Sequence, residues 1–335
     1  MTNSTLLVLN PLRATLSHYE RELIATLETA GYQKIDILKT TQADGVVGMR
    51  ERLGITLTSA FERARLGSSI NGRAILVVWP MFGYLDPLSL YRLCKRNTVL
   101  FVLHDPTPLR HQYGHSRFSR RTFQWLVSST RSEVVYHTRL AQEVGIKSCG
   151  VDGVVLAHPI SDEPPALLPR KERHAVRVLG QYKQTRSLDA LTAIASAARS
   201  LQLAELEIHG RGWPAVAGWK VMNSFVPEAK FDQLIESSRI VVIPYDSFFQ
   251  SGVAVRCLER GIPVVAPRHE HIMQLYGSDW PGLVADANDW DKALLRAMIV
   301  DSARLRARAV EVRKTISQNW SSALSSLLGA EQMKY

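Results

Sequence analysis

The sequence predicts an α/β protein made of two doubly wound domains that face each other across a cleft. Three observations lead there. Short apolar runs rich in β-branched residues alternate with stretches of helical periodicity along the whole chain, the pattern of parallel βαβ units with helices on both sheet faces. The alternation breaks once, at Ser161 to His174 (SDEPPALLPRKERH), which is rich in proline and charge, has no apolar periodicity, and has the composition of a linker. The chain's 335 residues are enough for two domains of ordinary size, each with its own core.

Taken in order, Thr5 to Asn10 reads as a first strand, and Ser17 to Ala30 as a helix that places Leu23, Ile24 and Leu27 at helical spacing before Gly31 stops it. Lys34 to Leu38 is a second strand, Glu51 to Leu66 a helix, and Arg73 to Pro80 a buried strand closed by proline. Leu85 to Arg96 is helical; Val99 to Asp105, Ser132 to Thr138 and Val154 to Ile160 are strands. Beyond the linker, strands are expected at VRVLGQY (from Val176), Ala204 to Gly210, KVMNSFV (from Lys220), Ile240 to Pro244, PVVAP (from Pro263) and PGLVAD (from Pro281). Trp290 to Leu328 is long enough for two or three helices. The domains expected are therefore residues 1–160, a linker at 161–174, residues 175–310, and a C-terminal helix at 311–335 that can cross back to the first domain.

Composition narrows the function classes. With 46% hydrophobic and 21% charged residues the chain is globular, and no apolar run approaches the roughly 20 residues of a membrane span. The N-terminus lacks a basic start and a long apolar region, so a cytoplasmic protein is expected. Cys94, Cys149 and Cys257 form no CxxC pair and suggest neither a disulfide framework nor a zinc site. HEHI (His269 to Ile272) lacks the second histidine that HExxH requires, so no metal is expected. Gly210-Arg211-Gly212 is not a dinucleotide fingerprint.

The net charge of +10 is unevenly placed. Arg92, Lys95, Arg96, Arg110, Arg117, Arg120, Arg121 and Arg131 stand against one acid, Asp105, with His104, His111 and His115 in the same window. Such a stretch is either a solvated loop and helix face or a site for nucleic acid, anionic lipid or a phosphorylated acceptor. RHQYGHSRFSRR (Arg110 to Arg121) interleaves arginines with Tyr113 and Phe118, which suits peripheral binding to an anionic membrane surface. Without a reader motif, nucleic acid is not the expected partner.

The chemistry centres on Arg239 to Pro267, RIVVIPYDSFFQSGVAVRCLERGIPVVAP. A buried parallel strand stopped by proline leads through a loop of small and aromatic residues to Ser251-Gly252, then to a short helix ended by Gly261, then to the strand from Ile262 to Ala266. This places the free N–H groups of a helix N-terminus at the carboxyl end of a parallel sheet, where a diphosphate is favoured. Leu179 to Arg186 (LGQYKQTR) is a strand running into a turn with two cations, Lys183 and Arg186. His104-Asp105 ends another buried strand and opens toward a cleft; an imidazole with a pKa of about 6.5 suits a general base.

These segments, with LGQYKQTRSLDALTAIA, EIHGRG, FVPEAKFDQLIESSRIVVIP and GLVADANDWDKALLRAM in that order, resemble the C-terminal half of nucleotide-sugar glycosyltransferases of the GT-B fold, the bacterial group 1, family 4-like enzymes. The resemblance implies two Rossmann-like domains: an N-terminal one that presents the acceptor, and a C-terminal one that binds a UDP- or GDP-linked sugar. It implies no cofactor or metal, and a glycan or lipid-linked acceptor in polysaccharide or glycolipid synthesis. Donor contacts would come from Lys183, Arg186, Ser251, Gly252, Val253, Arg256 and Glu270, with His104 and Asp105 near the reaction centre. The sequence departs from the family twice. Gln181 stands where the family has its diphosphate-binding Arg, with Arg186 at the Lys position. Phe248 and Arg256 occupy the positions of its paired glutamates, the second of which holds the nucleotide ribose. The loss of that pair leaves open a second reading, a sugar-nucleotide binder without catalysis.

Overall fold

In a computed structural model of the chain, residues 5–12, 16–38, 40–41, 49–79, 82–108, 114–161, 173–200 and 205–329 are described. They fall into two compact units, unit 1 comprising residues 1–162 with 315–335 and unit 2 residues 163–314. Arg110, His111, Tyr113 and most of the expected linker lie outside the described residues.

Unit 1 holds a six-stranded parallel sheet of β1 (Leu6–Leu9), β2 (Ile35–Leu38), β3 (Ala74–Val77), β4 (Thr98–Val102), β5 (Ser132–Tyr136) and β6 (Val154–Val155), in the order β2-β1-β3-β4-β5-β6. Every residue of β1 and β4 is buried, as befits parallel strands covered on both faces, and both read as continuous apolar runs rather than alternating ones. Around the sheet lie α1 (Ser17–Thr29), α2 (Met49–Ser69), α3 (Asp86–Ser89), α4 (Tyr91–Arg96), α5 (Arg117–Ser129) and α6 (Arg139–Cys149).

Unit 2 repeats the plan with β7 (Ala175–Leu179), β8 (Leu206–His209), β9 (Lys220–Met222), β10 (Ser238–Val242), β11 (Val264–Pro267) and β12 (Leu283–Val284), all parallel in the order β12-β11-β10-β7-β8-β9. Its helices are α7 (Leu188–Ser200), α8 (Glu228–Glu236), α9 (Gly252–Glu259), α10 (Glu270–Tyr276), α11 (Trp290–Met298) and the start of α12 (Ser302–Gly329). Leu191, Ile194, Trp213, Ile240, Trp290 and Leu294 belong to one buried cluster of this unit. In each sheet the strand order reverses once, between β1 and β3 and between β7 and β10. Open α/β sheets bind ligands at the carboxyl ends of the strands at such a reversal.

Several elements differ from the sequence expectation. Arg117–Ser129, for which no element was expected, form α5, started by Ser116, whose hydroxyl accepts from the Ser119 N–H at 3.1 Å. Helix α6, not expected, begins where the Thr138 hydroxyl takes the Ala141 N–H at 3.1 Å and ends at Gly150 with φ +67°. The helix expected from Leu85 to Arg96 is split at Leu90, whose φ −106° and ψ 11° leave the helical basin. Of Val154 to Ile160 only two residues make a strand. The C-terminal stretch forms two helices, and the second half of α12 belongs to unit 1, where Trp320 is fully buried and donates to the Ala157 carbonyl at 3.0 Å.

Candidate functional site

The site in unit 2 is assembled at the reversal between β7 and β10. Strand β7 ends at Gly180 (φ +99°) and β8 at Gly210 (φ +155°), where a Cβ would lie 2.1 Å from the Gly180 carbonyl oxygen, so only glycine lets the two strand ends approach. Trp213 closes over them, donating Nε1–H to the Gly180 carbonyl at 2.8 Å. The loop after β7 is then zipped to the loop after β10: Ser187 N–H donates to the Pro244 carbonyl and Asp246 N–H to the Thr185 carbonyl, both at 2.8 Å, and Arg186 bridges Tyr245.

Arg186 is the cation held by this frame. It is 7% exposed. One guanidinium nitrogen donates to the Leu179 carbonyl at 3.2 Å, and the guanidinium carbon lies 4.6 Å from the Tyr245 ring and 5.3 Å from the Trp213 ring. Its Nε is buried without a hydrogen-bond partner, and no carboxylate among the described residues pairs with it. A buried guanidinium faced by rings and a carbonyl, with no counter-charge of its own, suits an anion that arrives with the ligand. Lys183 opens the turn that Arg186 closes, its carbonyl accepting the Arg186 N–H at 3.0 Å.

The second half of the site is the N-terminus of α9. The Ser251 hydroxyl accepts the Ala254 N–H at 3.3 Å and its carbonyl accepts the Val255 N–H at 3.2 Å, which leaves the N–H groups of Gly252 and Val253 outside the helix ladder. A Cβ on Gly252 would meet no atom within 4 Å, and its φ is not positive, so open approach and not strain is what glycine provides there. The N-terminus of α10 converges on this one: His271 Nε2 donates to the Ser251 carbonyl at 3.4 Å, and Glu270, in the first turn of α10, accepts from Gln274 at 3.2 Å. Burial lowers the His271 pKa to about 4, so it donates as a neutral ring near neutrality. His269 caps α10 and stacks on Phe248 with centroids 3.9 Å apart.

Arg256 is placed differently from the sequence expectation. It turns onto α8, pairing with Glu228 and, at 3.1 Å, with Asp232, and lies over the Phe231 ring. Its charge is met inside the unit by acids 24 and 28 residues earlier in the chain, on a helix the sequence did not connect to it.

In unit 1, His104 and Asp105 follow β4. His104 is buried and donates Nε2–H to the Val78 carbonyl at 3.0 Å, which makes Nδ1 the basic atom of the neutral ring. The ring stacks on Trp79 (5.3 Å) and meets the edge of Tyr19 (4.6 Å). Tyr19 in turn donates to His137 Nε2 at 3.0 Å, because His137 Nδ1 donates to the Leu156 carbonyl at 2.7 Å. Asp105 lines a recess of about 20 Å³ with Trp79, Tyr84, His104 and His115. The roomier recess, about 690 Å³, lies in unit 2 between Arg268, Trp280 and Arg296, away from the strand reversal.

The aromatic frame of Tyr245 and Trp213, the neutral His271 and the stack of Trp79 on His104 were not singled out from sequence. The available signal was an aromatic side chain within a few residues of a strand's carboxyl end.

No family model matches the sequence, and no curated protein does. Among solved structures the chain is similar to an α,α-trehalose-phosphate synthase (UDP-forming) from Burkholderia vietnamiensis (13% identity, TM-score 0.61, 98% of this chain and 100% of that one). It is also similar to one from Burkholderia xenovorans in complex with glucose-6-phosphate (12%, 0.64, 97% and 100%). An E. coli trehalose-6-phosphate protein bound with UDP-2-fluoro glucose matches at 12% identity and TM-score 0.60, over 97% of this chain and 99% of that one. At these identities the likeness concerns the fold: two parallel six-stranded sheets in the GT-B arrangement of strands and helices.

Proposed function

We propose that the protein is a glycosyltransferase that moves a sugar from a nucleoside-diphosphate sugar to an acceptor. The observation that carries the reading is Arg186, buried with no counter-carboxylate among the described residues, beside a sheet reversal whose neighbouring strand leads to the open N-terminus of α9. In this reading the Arg186 guanidinium and the Gly252 and Val253 N–H groups take up charge as the diphosphate leaves. Groups fixed before the reaction stabilise developing charge without reorganising. Lys183 adds a cation from the same turn, and Glu270 accepts from sugar hydroxyls. Arg256 is left out, since its acids on α8 already hold it.

Unit 1 is proposed to meet the acceptor around Trp79, His104 and Asp105, with His104 Nδ1 as the proton acceptor. Two acceptor classes are worth assaying: the glycan or lipid-linked sugar expected from sequence, and a sugar phosphate, which one of the similar structures contains. UDP- and GDP-linked donors are both open. The test is a thermal-shift panel of nucleoside-diphosphate sugars followed by product analysis. A ligand at about 100 times its Kd stabilises the native state by roughly 2.7 kcal/mol, so the right base stands out. A flat panel on folded protein overturns the reading, and a clear shift with no turnover on any acceptor favours a binder without catalysis.

A further inference from the structure

Tyr84 ties the loop after β3 to three other parts of unit 1, and the four together enclose the recess beside His104. The buried Tyr84 hydroxyl donates to the Pro106 carbonyl, in the turn that follows Asp105, and lies 3.1 Å from the Ser148 hydroxyl of α6. Its N–H donates to the Gly114 carbonyl at 2.9 Å, which draws in the segment entering α5. His115, the next residue, is seated by these contacts. Its ring lies T-shaped to that of Tyr84 with centroids 4.8 Å apart, and a Cβ on Gly83 (φ +57°) would come within 2.8 Å of its Nε2, so a glycine leaves the ring its place. His115 thus lines the same recess as Trp79, His104 and Asp105. Its Nδ1 is buried without a hydrogen-bond partner among the described residues. Burial, and then the nearby Arg120 guanidinium, lower its pKa, so the ring is neutral near neutrality.

We propose that the recess binds one hydroxyl oxygen, held by His115 Nδ1 beside His104 and Asp105: a water in the free protein, and a hydroxyl of the acceptor during turnover. Two observations converge on a ligand of this size and kind. The recess measures about 20 Å³ and one water needs about 10–15 Å³, so a single oxygen fits. A buried ring nitrogen left unpaired costs free energy until something pairs with it. A hydroxyl serves a neutral imidazole in either tautomer, because it both donates and accepts. Asp105 selects further: a carboxylate only accepts, so it takes the hydroxyl's hydrogen and repels an anion. With Nδ1 protonated, the ring donates to the oxygen and the oxygen donates to Asp105. The water rests on the recess alone, and the acceptor hydroxyl rests on the glycosyltransferase reading.

The test has a crystallographic arm and a kinetic one. In a crystal structure of the full chain at a resolution that shows ordered water, an oxygen is expected in the recess within about 3.2 Å of His115 Nδ1. His115→Phe keeps a ring against Tyr84 and removes both nitrogens, so it should lose that water. His115→Asn, whose amide stands near the Nδ1 position, should keep it, and a thermal melt shows that each variant is folded. With the glycan or sugar-phosphate acceptor that gives product, His115→Phe should raise the acceptor KM about three- to tenfold and His115→Asn less. The Kd for UDP or GDP should stay within about twofold, because the groups proposed to hold the donor lie in unit 2. A wild type with no oxygen within hydrogen-bond distance of Nδ1, or a water that stays in place in His115→Phe, overturns the site. An unchanged acceptor KM in folded His115→Phe overturns its role toward the acceptor and makes the water a structural one. If the wild type turns over no acceptor, it is the glycosyltransferase reading that fails, and the crystallographic arm still decides the recess.

Discussion

Replacing Arg186 by Met deletes the guanidinium while keeping much of the side-chain stem, and its two effects can be separated. In the protein alone it removes the 3.2 Å hydrogen bond to the Leu179 carbonyl and the ring contacts at 4.6 and 5.3 Å. A charged hydrogen bond contributes about 1.5–3 kcal/mol and a shielded cation–π contact about 0.5–2. Met recovers part of this by burying an apolar tip and removing a charge that had to be desolvated. A net loss of about 1–2 kcal/mol is expected, seen as a fall of a few degrees in Tm. Binding loses one charge-assisted contact to the diphosphate, about 1.5–3 kcal/mol, or roughly 10- to 150-fold in Kd. Arg186→Lys should fall between, because an ammonium keeps the charge but neither the planar fork nor the stacking on Tyr245. Calorimetric titration with UDP and with GDP, alongside a thermal melt, separates the two effects. A folded Arg186→Met protein that binds either nucleotide within about twofold of wild type refutes the assignment.

Gly252→Val should weaken nucleotide binding at least tenfold with little change in Tm, since a Cβ there meets no protein atom within 4 Å and the side chain enters the space proposed for phosphate; equal affinity by titration would remove the α9 turn from the site. His104→Ala should lower kcat far more than donor affinity, and wild-type turnover would leave His104 as a buried strand-end ring held by Val78. His271, with its folded pKa lowered to about 4 from an ordinary 6.5, contributes stability that is fully present above pH 6.5 and lost as pH falls toward 4, because the unfolded chain takes up the proton first. The loss is at most about 3 kcal/mol. His271→Gln should therefore flatten the dependence of Tm on pH across that window, and an unchanged slope would show that other groups set it.

Much of the fold was legible because parallel strands buried on both faces are written as uninterrupted apolar runs: IVVIP, PVVAP and VLFVL announce β10, β11 and β4 with little ambiguity. Helices α5 and α6 were harder for a physical reason. The start of α5, RFSRR, reads as a charge run, and its apolar positions Phe123 and Leu126 face inward while Phe118 and Trp125 face out, so the periodicity is blurred. At the site, Ser251 and Gly252 could be read because capping is local in sequence. The frame around Arg186 could not, since Trp213 and Tyr245 reach it from the loops after two other strands.

Arg256 shows how a single substitution changes what its surroundings must supply. It stands where the resembling enzymes carry a ribose-holding glutamate, and the structure provides its complement on α8: Glu228 and Asp232 pair with Arg256, while Asp232 and Glu236 pair with Arg260. For Arg256 to reach a nucleotide it would have to leave two carboxylates. The arginine side chain is 9% exposed and the acids 24% and 44%, so the cost lies between the 0.2–1 kcal/mol of a surface pair and the roughly 3–5 kcal/mol of a broken buried one. One charged hydrogen bond to a ligand returns about 1.5–3 kcal/mol, and two pairs must be given up for it. The balance favours Arg256 staying on α8, where it fastens α9 and so fixes the direction in which the Gly252 and Val253 N–H groups point. Arg256→Met should accordingly lower Tm while leaving nucleotide affinity within about threefold, provided the melt confirms that the titrated protein is folded. A tenfold or larger loss of affinity in folded Arg256→Met would return this residue to the donor site and show that the α8 acids release it when the nucleotide arrives.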